Sequence, residues 1–256
     1  MFNVDNHRLL IASLINKQAV ESFYILENFH QSLFDLPFKT TNTNLYQIKL
    51  QWYLDAIKNP AQSGVPTVDE FKKLAKTYNL SLTNVLTFIT SYNINADTLP
   101  FKSVAELVSY AKNTEGALWK FYMQVCQVKD SNVLQLIEDI GCFYGIVGIL
   151  RNTDFYFRYH RFILIFQEKD VTNYHQVGQD NLKQILTTAQ NLLQKINKQQ
   201  HILPKNIKPI LLLSFVGKSY LKQLQKIGAN YKLMASVQFS KIDNLKILLK
   251  ILFHNY

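Results

Sequence analysis

Cysteine is scarce in this chain: Cys126 and Cys142 are the only two in 256 residues, with no CxxC spacing. That excludes a disulfide framework and a thiolate zinc site, and it leaves two buried thiols in a reducing compartment as the expectation. The six histidines, His7, His30, His160, His175, His201 and His254, never fall at metal-ligand spacing. Glycine numbers eight, and none builds a phosphate-cradling loop or a nucleophile elbow. The uncharged run from Ile140 to Leu150 is closed by Glu138 and Asp139 on one side and Arg151 on the other. It falls far short of the roughly 20 residues a bilayer requires. The N-terminus MFNVDNHRLLIASLINK lacks a basic region, an apolar stretch and a small-residue cleavage site in succession, so no secretory signal is read there.

Acidic residues are also few, and their distribution is uneven. Residues 171–256 hold twelve lysines, no arginine, and only Asp180 and Asp243 as acids, whereas the first 170 residues carry sixteen groups of each sign. The whole net charge of +10 therefore belongs to the last third. Such a region is attracted to an anionic membrane surface or to an acidic, membrane-associated protein partner. Nucleic acid is not expected, because the lysines are spread over helices without a recognisable binding motif. The most coherent row is Lys218, Lys222 and Lys226, four apart on one helix. The plain alternative is a solvated helix face.

With 48% hydrophobic and 18% charged residues, the composition suits one soluble domain over residues 1–256, expected in the cytoplasm or peripheral on the inner membrane. Apolar residues recur at helical spacing almost throughout. Helices are predicted over Leu9–Leu33, ended by Asp35-Leu36-Pro37, and over Asn44–Ile57, Leu82–Tyr92, Val133–Leu150, Leu182–Ile196, Ile207–Ile227 and Ile242–Phe253. Thr67 with Glu70 and Ser103 with Glu106 have capping-box spacing and open two more, at Val68 and Val104. Pro209 fits a first helical turn. FRYHRFILIF, Phe157–Phe166, is the one strand-like stretch. The architecture expected is all-α, a single helical bundle.

The most informative segment is IGCFYGIVGILRNTDFYFRYHRFIL, Ile140–Leu164. Gly141, Gly145 and Gly148 share one helix face and leave it without side chains. Either a second helix packs there or a slender apolar ligand lies in the groove. Trp52, on the aromatic helix Leu45–Ile57, reads either as core or as part of such an apolar wall. Arg151, Arg158 and Arg161, with His160 and Asn152 nearby, form a candidate phosphate-binding set. Alternatively, these cations pair with Glu138, Asp139 and Asp154.

These residues resemble the squalene/phytoene synthase family. Its second signature, a glycine-notched helix ending in Leu-Arg-Asp before an arginine-rich turn, reads here Gly145-Ile-Val-Gly148-Ile-Leu150-Arg151-Asn152. LYQIKLQWYLDAI (Leu45–Ile57), YAKNTEGAL (Tyr110–Leu118) and the tail from Thr188 to Gly228 are similar to further family segments, in the right order. The resemblance implies an isoprenoid-synthase-type helical bundle. It also implies transfer between prenyl diphosphates, with magnesium held by two aspartate-rich motifs whose carboxylates lie one helical turn apart. Yet no Asp or Glu in this chain has a carboxylate three or four positions on. Asn152 and Tyr156 stand where the second pair belongs, Glu27 and His30 are all that the helix Val20–Leu33 offers on one face for the first, and Asn113 replaces the family's tyrosine before Gly116. In LQWYLDA and LRNTD the chain resembles the family branch that assists assembly of respiratory complex I. Two expectations follow. The favoured one is a protein that has lost metal-dependent prenyl transfer, has no catalytic residue and no metal or cofactor, and acts by binding, as a complex I assembly factor or a prenyl-lipid binder. The alternative is an active, magnesium-dependent prenyltransferase.

Overall fold

Local chemistry at the helix ends sets the layout of the chain. In the computed structural model, residues 6–40, 42–93, 101, 103–152, 174–228, 237 and 241–253 are described. Helix α1, Asn6–Ile15, stops at Asn16, whose side chain accepts from the amide of Gln18 at 3.0 Å and starts a short 3-10 turn over Lys17–Ala19. The single helix expected over Leu9–Leu33 is thereby broken in two, because Asn16 offers the backbone a local partner in place of the helical one. Helix α2, Val20–Lys39, then runs past Asp35 and Pro37. Proline's fixed φ suits a helix, and near the C-terminus only one amide bond is forgone. Asp35 accepts from both Gln31 (2.6 Å) and Lys39 (2.8 Å) along the same face.

Asn42 caps α3, Thr43–Lys58, by accepting from the amides of Asn44 and Leu45. Helix α4, Pro66–Thr77, begins with proline in its first turn. Thr67 is therefore already inside the helix and is not its cap. The Val65 carbonyl takes the amides of Val68 and Asp69, while the Asp69 carboxylate folds back onto the amides of Ser63 (2.8 Å) and Gly64 (3.2 Å). Ser81 caps α5, Leu82–Ser91. The expected cap at Ser103 is present, accepting from the Glu106 amide at 3.1 Å to open α6, Val104–Ala111. A π-helical turn, Lys112–Gly116, leads into α7, Ala117–Val125. Asp130 caps α8, Ser131–Arg151. Helix α9, Tyr174–Gln199, is followed by 3-10 turns at Gln200–Ile202 and Lys208–Ile210, the latter with Pro209 in its first turn. The last helices are α10, Leu211–Lys226, and α11, Lys241–Leu252.

No strand occurs among the described residues, and Phe157–Phe166 lies outside them. Helix α8 is the axis of the bundle, buried along almost its whole length and packed by α6, the π turn, α7, α9 and α10. By length and composition it is apolar enough to cross a membrane, but its burial inside protein marks it as a core helix. A second region of the core is aromatic: Phe29 stacks on Phe71 at 3.8 Å between ring centres, and Phe23 meets Trp119 at 5.0 Å and Tyr122 at 5.1 Å. These rings join α2, α4 and α7 through burial worth about 1.5–3 kcal/mol per side chain.

Candidate functional site

The glycine face of α8 is where the π turn docks. A Cβ on Gly141 would lie 2.7 Å from the Glu115 carbonyl oxygen, and one on Gly145 would lie 2.9 Å from the Glu115 Cβ. Gly116 reciprocates, its own Cβ position falling 2.7 Å from the Glu138 carbonyl. Gly116 and Gly141 are glycine because two backbones touch, and Gly145 because the side chains of Glu115 and Ala111 lie against it. The groove reading of Gly141 and Gly145 is thus corrected: protein fills that space. Gly148 alone of the three faces open space. Trp52 is elsewhere, 39% exposed on α3 and edge-on to Tyr53 at 5.2 Å. Among the described residues the helices that α3 chiefly packs on are α2, α4 and α5, and the glycine-bearing α8 is not one of them.

Docking the π turn on α8 places the half-buried Glu115 beside two other helices. The Arg8 guanidinium, on α1, lies 3.0 Å from Glu115 and 2.8 Å from Glu27 on α2. His30, one turn after Glu27, sits 3.7 Å from it. Arg8, Glu27 and His30 are buried, so one guanidinium holds two carboxylates in a medium where charges interact far more strongly than in water. The fully buried Tyr92 adjoins this cluster. Burial pushes its hydroxyl well above the ordinary tyrosine range, helped by the charges of Tyr110, Glu115 and Glu27. Glu27 and His30 were legible as one face of α2. Arg8 and Glu115 were not, although an arginine amid HRLLIASL is a charge on an otherwise apolar helix.

The acids of α8 face lysines. Glu138 lies 3.2 Å from Lys112 and 3.1 Å from Lys120, and Asp139 lies 2.6 Å from Lys195. The expected alternative paired the cations near 151 with Glu138, Asp139 and Asp154; Glu138 and Asp139 pair with lysines instead, and Asp154 lies outside the described residues. Arg151 instead stacks over the Tyr220 ring, 4.6 Å from its centre. Asn152 closes α8, its amide donating to the carbonyls of Gly148 (3.1 Å) and Ile149 (3.2 Å). Both residues are half-buried. Arg158, His160 and Arg161 lie outside the described residues. Lys218, Lys222 and Lys226 form an exposed row on α10. Cys142 is buried, its thiol pushed up to about 12 by burial and then by Asp139, while Cys126 is half-buried.

This donor set does not suit a magnesium site. Glu27 already spends its charge on Arg8, His30 is a soft ligand for a hard cation, and Asn152 supplies at most a neutral amide. Among the described residues, no three of His, Cys, Asp and Glu converge as metal ligands.

An all-helical bundle around a glycine-notched α8, with its arginine and asparagine at the end, defines an isoprenoid-synthase-type protein. The squalene/phytoene synthase family model matches residues 3–243, and the chain belongs to that family. Over 241 residues it is 24% identical to the mouse protein described as NADH dehydrogenase (ubiquinone) complex I, assembly factor 6, covering 87% of this chain and 71% of that protein. The human protein of the same description is 20% identical over the same shares. Among solved structures, a squalene synthase from Alicyclobacillus acidocaldarius superposes with a TM-score of 0.64 at 13% identity, covering 86% of this chain and 88% of its own. A dehydrosqualene synthase in complex with ligand superposes at 0.68 with 14% identity, covering 96% and 90%. Both structures share the fold.

Proposed function

We propose that this chain acts by binding rather than by prenyl transfer, as an assembly factor for respiratory complex I, held peripherally on a membrane. The observation that carries this reading is the Arg8 clamp. On the face of α2 where the family's first metal-binding acids belong, the one carboxylate is Glu27, and it is neutralised from within by a guanidinium shared with Glu115. A cation supplied by the chain itself holds the acids together, so the bundle needs no magnesium to be stable there. The assembly-factor description of the mouse and human relatives supports the choice of partner. The lysine row Lys218, Lys222, Lys226 supports attachment to an anionic surface, each lysine near it adding about 1 kcal/mol within a Debye length of about 8 Å.

The test is to disrupt the gene in its own cell and measure assembled complex I on native gels alongside squalene- and phytoene-type products. Loss of assembled complex with the isoprenoids unchanged is the expected result. Unchanged complex I with a missing isoprenoid would overturn the reading in favour of an active prenyltransferase.

A further inference from the structure

Helix α11 is apolar on two sides. Ile247 is buried against the bundle, and one residue near it, Asn244, is tied to α1 through His7 at 3.2 Å. The rest of the helix should then be polar. Instead Leu245, Leu248, Leu249, Leu252 and Phe253 are all exposed, Leu252 by 72% and Phe253 by 74%. At 100° per residue these five occupy one arc of roughly 140°. A contiguous apolar face of this kind signals a partner.

Charge identifies that partner. Lys246 borders the arc and is exposed. Lys250 sits 5.4 Å over the ring of Phe215 on α10. Phe215, Lys218, Lys222 and Lys226 are spaced 3, 4 and 4 apart, which places them on one stripe of α10. The leucine face and the lysine row are thus carried by adjacent helices. They lie in the lysine-rich third that holds all the net charge. Leucines and a phenylalanine beside a row of lysines are the composition of a helix lying in a lipid interface.

We infer that α11 lies in the headgroup region of an anionic bilayer, with its five outward apolar side chains among the acyl chains and the α10 lysines against the headgroups. This rests on the membrane-facing reading of the lysine-rich third and adds the element that inserts.

The test uses the full chain with vesicles of phosphatidylcholine alone and of phosphatidylcholine with phosphatidylserine. Three proteins are compared by cosedimentation: the parent, Leu248→Gln with Leu252→Gln, and Lys218→Glu with Lys222→Glu and Lys226→Glu. All five changes are at exposed positions, and thermal melts confirm that each variant is folded. The parent should bind only the anionic vesicles, and the leucine pair should lose at least about tenfold in partitioning. Leu249→Trp should add a fluorescence component that brominated acyl chains quench. If the leucine pair binds like the parent while the lysine variant is released, the surface is electrostatic only and insertion is refuted. If neither change matters, or the parent ignores vesicles, the membrane-facing reading falls as well. If the parent ignores vesicles and self-associates, and the leucine pair is monomeric, the face is an interface between copies and the inference is overturned.

Discussion

Replacing Arg8 with methionine keeps most of the side chain's volume and removes only the guanidinium. Glu27 and Glu115, at 3% and 15% side-chain exposure, then share a buried space without the cation now 2.8 and 3.0 Å away. Breaking a buried ion pair by removing one partner costs about 3–5 kcal/mol. Against a typical stability of about 5–15 kcal/mol, that is about a fifth of the total or more. The triple variant Arg8→Met, Glu27→Gln, Glu115→Gln removes the stranded charges and should recover most of the loss, because apolar and neutral replacements of a buried triad are close to neutral. Urea unfolding of the parent, the single variant and the triple variant measures both steps. A single variant within about 1 kcal/mol of the parent would refute the clamp as the support of this core, since surface ion pairs are worth no more than that.

The glycines of α8 should separate sharply. Gly141→Ala and Gly145→Ala drive a methyl into Glu115 and should destabilise by about 1–3 kcal/mol, whereas Gly148→Ala meets open space and should stabilise by up to about 1 kcal/mol; thermal melts that rank all three alike would contradict the docked π turn. Alkaline stability has a defined sign. The folded state keeps the Cys142 proton up to about 12, but the unfolded chain loses it near the ordinary 9.0. This thiol's contribution is therefore intact below 9.0 and declines as pH rises from there toward 12, and Cys142→Ala should flatten that part of a stability–pH profile. Asn152→Asp alone should leave prenyl transfer undetectable, because Glu27 remains bound to Arg8; product from that single change would show that the metal site has been misplaced.

The elements most readable from sequence were those whose signal is local. Ser103 with Glu106 specifies a cap and produces one, and the apolar spacing of Val133–Leu150 yields a buried helix within two residues of the expected ends. Thr67 failed because Pro66 had already started the helix, and Asn16 was overlooked because an asparagine cap inside an apolar period carries no periodic signature. The glycine spacing told which residues share a face but not what lies on it. That depended on a π turn about 30 residues upstream, a one-residue widening with no compositional mark. The Arg8–Glu27–Glu115 cluster joins three segments distant in the chain, and only the assembled bundle brings them within hydrogen-bonding reach. Family membership was legible because several weak segments occurred in order. The lysine excess was plain in the sequence, whereas the outward leucines of α11 were not, since a helix with apolar residues on two sides reads as a buried one.

The proposed exchange of metal-dependent catalysis for binding is open to direct assay. The most direct measurement incubates the purified full chain with farnesyl or geranylgeranyl diphosphate and magnesium and analyses the extracted lipids by mass spectrometry. Unreacted diphosphate and no condensed product are expected, for the parent and for Arg151→Ala alike. A squalene- or phytoene-type product from the parent that disappears in Arg151→Ala would contradict the proposal.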